Sequence, residues 1–193
     1  MKILSFDPGK NNFAYAVVSS NQRCKKHGFV RSITTLEYNK LPDELTRFTN
    51  DISALLAEKP DLVIVERMQH RPKFGGGAVV EYINFMIGVL TELVRQHGCR
   101  IFLVSPPTWK SHYIKLYAVD IKKTPFSMST QKMSVKAPKG SGKKTMTIIV
   151  KGVLDGQAKY DEELTPHEAD AIGIGCYGWY MLTGIDIVRS VLA

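Results

Sequence analysis

The chain has 193 residues, 44% of them hydrophobic and 23% charged, with a net charge of +8 and an isoelectric point near 9.4. That length buries a core without disulfides or a structural metal, and the composition excludes global disorder and collagen-like repeats. The three cysteines are scattered, with no CxxC pair, and read as buried thiols in a reducing compartment. No apolar run reaches the ~18 residues of a membrane span. The opening Ile3-Leu4-Ser5-Phe6-Asp7 reads as a core strand rather than a targeting signal.

In chain order, residues 2–7 alternate as a strand ending at Asp7, which puts Ile3, Ser5 and Asp7 on one face. Asp7-Pro8-Gly9-Lys10-Asn11-Asn12 is a tight turn into a second strand, Phe13 to Ser19. Gly28 to Leu36 offers a third strand. An amphipathic helix from about Pro42 to Glu58 carries Leu41, Leu45, Phe48, Ile52, Leu55 and Leu56 at helical spacing, and Pro60 ends it. Leu62-Val63-Ile64-Val65 is a short, fully apolar run ending in Glu66, the pattern of a buried parallel strand. Residues 67–77 form a basic, glycine-rich loop.

The next helix, about Ala78 to His97 with Gly98 as its C-cap, has Val80, Ile83, Ile87, Leu90 and Val94 on one stripe. Phe85, Met86, Val89 and Leu93 widen that stripe, so the helix is expected to be buried twice, against its own sheet and against a partner subunit. Ile101 to Val104 is another buried strand, stopped by Pro106-Pro107. Thr145 to Leu154 reads as helix, and a final helical region starts near Pro166 and breaks around Gly184. Antiparallel strands first, then alternating helix and strand, point to a mixed α/β sheet with helices on both faces.

The positive charge is concentrated. Lys110 to Lys151 holds ten of the 26 Lys and Arg but one of the 18 acids, Asp120, so this segment nets +9 and the rest of the chain −1. Its middle, Lys122 to Gly142, is rich in Ser, Thr, Pro, Gly and Lys without helical or strand periodicity. It reads as a long flexible loop, either solubilising or a phosphate-contacting arm that orders on nucleic acid.

Four polar residues sit at the ends of hydrophobic elements: Asp7, Glu66, and His167 with Asp170, which share one face of a helix start. An acid ending an apolar strand is costly unless paired, hydrogen-bonded or metal-bound. Hard oxygen donors with one imidazole suit Mg²⁺ or Mn²⁺ better than zinc. Glu168 is set apart, because Thr165-Pro166-His167-Glu168 forms a capping box that explains it.

In these contexts Ser5-Phe6-Asp7-Pro8-Gly9, Val63-Ile64-Val65-Glu66 and His167-Glu168-Ala169-Asp170-Ala171-Ile172 resemble the motifs of RuvC-like Holliday-junction resolvases of the RNase H-like superfamily. Pro107-Thr108-Trp109-Lys110 is similar to the Pro-x-x-x-Lys segment of that family, and Gly140-Ser141-Gly142-Lys143-Lys144 to its glycine-rich turn. The resemblance implies a single RNase H-like domain over 1–193 with a mixed five-stranded sheet; the family joins those two segments closely, so the basic insertion at about 113–142 is a departure from its pattern.

It further implies that Asp7, Glu66, His167 and Asp170 bind two Mg²⁺ ions, with Mn²⁺ as a substitute. Lys110 and one of Lys143 or Lys144 would stand near the scissile phosphate. The implied activity is paired symmetric nicking of four-way DNA junctions by a homodimer, leaving 5′-phosphate and 3′-hydroxyl ends. The expected DNA contacts are Arg67, Arg71, Lys73, Phe74, Lys110, Lys122, Lys123, Lys132, Lys136, Lys139, Lys143 and Lys144. The family places an aromatic wedge a few residues after the second acid; here the nearest aromatic is Phe74, and the alternatives are Met68, His70 or a different way of opening the junction.

Other readings of the same residues are an RNase H-like nuclease acting on other branched DNA or RNA–DNA hybrids, or a junction-binding module without catalysis. An actin-like phosphotransferase shares the first-strand Asp turn but needs two domains. The expected location is the cytoplasm of a bacterial cell, with a virus or phage as a possible source.

Overall fold

The computed structural model describes residues 1–19, 24–68, 77–121 and 164–184. Five strands, β1 (Lys2–Asp7), β2 (Phe13–Ser19), β3 (Cys24–Val30), β4 (Leu62–Glu66) and β5 (Ile101–Val104), form one sheet in the order β3-β2-β1-β4-β5. β1, β2 and β3 run antiparallel as a meander, whereas β4 and β5 run parallel to β1. The helices are α1 (Leu41–Leu56), α2 (Gly77–Gln96), α3 (Pro106–Ile121) and α4 (Pro166–Thr183).

The alternation of β1 divides the core. Leu4 and Phe6 face α1 and α2, meeting Phe13, Phe48, Ile52, Met86 and Leu90, while Ile3 faces α3 and α4, meeting Trp109, Ala171, Ile172 and Trp179. The expected mixed sheet with helices on both faces is therefore present.

Two elements differ from expectation. The third strand lies at 24–30, upstream of Gly28 to Leu36. It is an edge strand with a polar middle, Lys25-Lys26-His27, so its sequence carries no clear alternation. Residues 31–35 satisfy backbone donors elsewhere. Asp51 accepts the Arg31 N–H at 3.0 Å, and Glu44 accepts those of Thr34 and Thr35 at 2.6 and 3.1 Å. The second difference is α3, which begins where Pro106-Pro107 suggested only a stop. Proline is tolerated in a first helical turn, where its missing N–H has no partner to lose. Residues 113–121 of the expected insertion are thus helical; 122–142 and the helix expected at 145–154 lie outside the described residues.

α2 buries Ile83, Met86, Ile87, Leu90 and Val94, with Phe85, Val89 and Leu93 half-buried and Val79 exposed. By length and composition alone it would pass as a membrane span. Its buried stripe packs into the core, while Glu81, Glu92 and Arg95 lie exposed on the rest of the helix.

α4 lies close on β1 because its facing positions are glycines. A Cβ on Gly175 would stand 2.7 Å from Ser5 Oγ and 2.8 Å from Val18 Cγ2. Ser5 Oγ donates to the Ala171 carbonyl at 2.7 Å, tying helix to strand. The Thr165–Glu168 capping box is complete, with Glu168 N–H donating to Thr165 Oγ1 and Thr165 N–H to Glu168 Oε2. Gly184 ends the helix in the left-handed conformation.

Candidate active site

β1 and β4 are neighbouring parallel strands, with Ser5 opposite Ile64 and Phe6 opposite Val65. One residue further on, Asp7 and Glu66 end the two strands on the same rim of the sheet. After Asp7 the chain turns sharply at Gly9, where a Cβ would meet the Asn12 carbonyl oxygen at 2.7 Å. The first turn of α4 brings His167 and Asp170 over that rim, and α3 brings Trp109 and Lys110.

Each carboxylate has a partner. His167 Nδ1–H donates to Asp7 Oδ2 at 2.7 Å, Lys110 Nζ donates to Asp170 Oδ2 at 2.8 Å, and Trp109 Nε1–H donates to Glu66 Oε2 at 2.6 Å. Asp7 and Asp170 are buried; Glu66, His167 and Lys110 are half-buried. Burial pushes the Glu66 carboxyl up to about 7, and the Asp7 charge adds to this while Lys110 and Trp109 oppose it. Burial likewise raises Asp170, against the pull of Lys110. For Lys110 burial acts to lower the pKa, but the carboxylates of Asp170, Glu66 and Asp7 together outweigh it and the net shift is upward.

Among the described residues, no three His, Cys, Asp or Glu side chains stand close enough together to grip one ion as arranged. Lys110 and Trp109 occupy Asp170 and Glu66 instead. The donor chemistry nonetheless fits a divalent cation. Three hard carboxylates crowd one rim with a single ammonium among them, and the Asp7 charge adds to burial in raising Glu66.

Residues 1–136 match the model of the family described as Poxvirus A22 protein. The chain belongs to that family. It is the Holliday junction resolvase family of poxviruses, so the chain is a nuclease of DNA recombination and repair that resolves Holliday junctions.

Solved structures share its fold, three of them along nearly the whole chain. RuvC of Thermus thermophilus aligns with a TM-score of 0.65 at 18% identity, over 95% of this chain and 97% of that one. The same organism's RuvC in complex with a Holliday junction substrate aligns with a TM-score of 0.65 at 16% identity and the same coverage. The yeast mitochondrial Holliday junction resolvase Ydc2 aligns with a TM-score of 0.52 at 14% identity, over 98% of this chain and 81% of that one. No curated protein matches by sequence. The family is viral, which agrees with a virus among the expected sources.

The structure brings Asp7, Glu66, His167, Asp170 and Lys110 to one rim. Arg67 lies beside it, exposed, its N–H donated to the Val104 carbonyl, and Met68 follows it, also exposed. His70, Arg71, Lys73, Phe74, Lys122, Lys123, Lys132, Lys136, Lys139, Lys143 and Lys144 lie outside the described residues.

The sequence assigned no site role to two residues. Trp109 stood there only as part of the lysine motif. Lys10, in the turn after Asp7, holds its ammonium 4.5 Å from the Tyr82 ring centroid on α2. Its signal was its place in the turn directly after the first acid.

Proposed function

We propose that the chain nicks two symmetry-related strands of a four-way DNA junction, with Asp7, Glu66, His167 and Asp170 as the metal ligands and Lys110 at the scissile phosphate. The observation that carries this reading is the convergence of three acids from β1, β4 and α4 on one rim, with the Lys110 ammonium among them. Two divalent ions held by these residues, Mg²⁺ or in its place Mn²⁺, would supply the Lewis acidity for attack of water on the phosphate.

The protein's own groups provide the rest. Asp7 is held in one orientation by His167. Lys110 keeps its proton throughout the neutral range, and its charge is available to the phosphate oxygens as negative charge builds on them. Arg67 at the rim, together with the basic segments 71–74 and 122–144, supplies phosphate contacts along the arms of the junction.

A four-way junction has near two-fold symmetry, which a C₂ homodimer matches with two sites. The half-buried Phe85, Val89 and Leu93 of α2 are the surface proposed for that contact.

The test is Asp7→Asn. The variant is expected to fold and to bind a four-way junction in EDTA with wild-type affinity, yet to lose cleavage in Mg²⁺. Cleavage at the wild-type rate would remove Asp7 from the mechanism and overturn the reading of the site.

A further inference from the structure

We propose that Trp109 is a positioning residue for the metal site, setting the Glu66 carboxylate with its indole N–H and carrying Lys110 on its ring face. This deepens the reading of the site given above and rests on it.

The observation is a hydrogen bond with few alternatives. The Trp109 indole is fully buried, and its Nε1–H meets Glu66 Oε2 at 2.6 Å. Indole N–H is a donor and never an acceptor, so it pairs with a carboxylate oxygen and offers no acceptor to a carboxyl O–H. It fixes one oxygen of Glu66 and leaves Oε1 directed by that constraint. Glu66 needs one, because it ends a strand on a side chain with three torsions and faces the negative charges of Asp7 and Asp170.

The indole itself is held from behind. Its ring meets Tyr113 edge-on at 6.2 Å between centroids, and the Tyr113 hydroxyl donates to the Gly173 carbonyl of α4 at 2.8 Å. The Lys110 Nζ lies 4.8 Å from the Trp109 ring centroid while it reaches Asp170. One side chain therefore links the acid of β4, the acid of α4 and the lysine of α3. A core tryptophan requires only burial. This one also aims its polar edge at a carboxylate of the site, and partners that orient a metal ligand typically contribute 10- to 100-fold in metal affinity.

Two variants separate positioning from packing. Trp109→Phe keeps an aromatic ring in the pocket and removes the N–H. Replacement of Trp109 by 3-benzothienylalanine, in a Trp179→Phe background, keeps the bicyclic shape and exchanges N–H for sulfur. The readouts are Mn²⁺ affinity of the DNA-free protein by calorimetry, thermal midpoint, and junction affinity in EDTA.

The expected result is Mn²⁺ binding weakened about 10-fold or more in both variants. The benzothienylalanine protein should keep the thermal midpoint of its Trp179→Phe parent, and junction affinity in EDTA should be unchanged. Wild-type Mn²⁺ affinity in the benzothienylalanine protein would overturn the proposal and leave the metal site standing. Failure of the unmodified protein to bind Mn²⁺ at all would overturn the metal site, and this proposal with it.

Discussion

Replacing Gly175 by alanine tests how α4 delivers two of the site residues. The added methyl would stand 2.7 Å from Ser5 Oγ and 2.8 Å from Val18 Cγ2, both inside normal contact. Either α4 lifts, or Ser5 turns and weakens its bonds to the Ala171 and Ala16 carbonyls. Overpacking of this kind costs about 1–3 kcal/mol, and a weakened buried hydrogen bond about 1 kcal/mol. Helix propensity returns about 1 kcal/mol, since alanine replaces a mid-helix glycine. The net is about 2 kcal/mol of destabilisation, or a midpoint lowered by roughly 4–8 °C in a domain of this size.

Gly178→Ala is the matched control. Its Cβ meets only the Ile64 and Ile3 side-chain methyls, at 3.1 and 3.2 Å. Those side chains adjust, and the propensity gain offsets much of the cost, so its stability is expected within about 1 kcal/mol of wild type. Lifting α4 also moves His167 and Asp170 away from Asp7, and a displacement of about 1 Å near reacting groups costs on the order of 100-fold in rate. Urea unfolding and single-turnover junction cleavage, both below the midpoint, read the two effects. A Gly175→Ala protein as stable and as active as wild type would refute the argument that close seating of α4 builds the site.

Three further outcomes are expected. Deleting residues 122–139 should flatten the salt dependence of junction affinity, by about 0.9 in the log–log slope for each lysine that neutralises a phosphate; an unchanged slope would mean the segment only solubilises. Phe85→Lys with Leu93→Lys should shift a dimer to monomer in sedimentation at micromolar concentration without unfolding it, whereas a monomeric wild type, with and without junction DNA, would remove α2 from the assembly. Hydrogen bonds from Arg31 hold the Asp51 carboxyl below its usual range. Its stabilisation is therefore present above the unfolded pKa of about 3.9 and lost as pH falls through the lower folded value. Asp51→Asn should lower the urea midpoint at pH 7, and the difference from wild type should shrink towards pH 3; a gap that widens in acid would refute the assignment.

The sheet was legible where burial was two-sided or alternation strict. β4 is an unbroken apolar run because it is covered by helices on both faces, and β1 shows its acid because Asp7 ends an apolar strand. The same signal found Glu66, and the capping box located the turn carrying His167 and Asp170. β3 was misplaced because an edge strand with lysines and a histidine at its centre carries little pattern, while 31–35 looks strand-like but gives its backbone donors to side chains, those of Asp51, Met86 and Glu44. α3 was missed because two prolines suggested a stop; among its described side chains, Trp109 and Tyr113 are buried. Trp109 could not be read as part of the site, because its partner Glu66 is 43 residues away in sequence and becomes a neighbour only through the β4–β5–α3 crossover.

The most direct test of the account is strand-by-strand mapping of cuts on a synthetic mobile four-way junction. Linear duplex, a splayed fork and an RNA–DNA hybrid would run beside it, each in Mg²⁺ and in EDTA. The expected result is two nicks placed symmetrically across the junction, in Mg²⁺ alone, with 5′-phosphate and 3′-hydroxyl ends. Preferential cutting of the fork or hybrid, unpaired nicks, or tight junction binding without cleavage in Mg²⁺ or Mn²⁺ would contradict it.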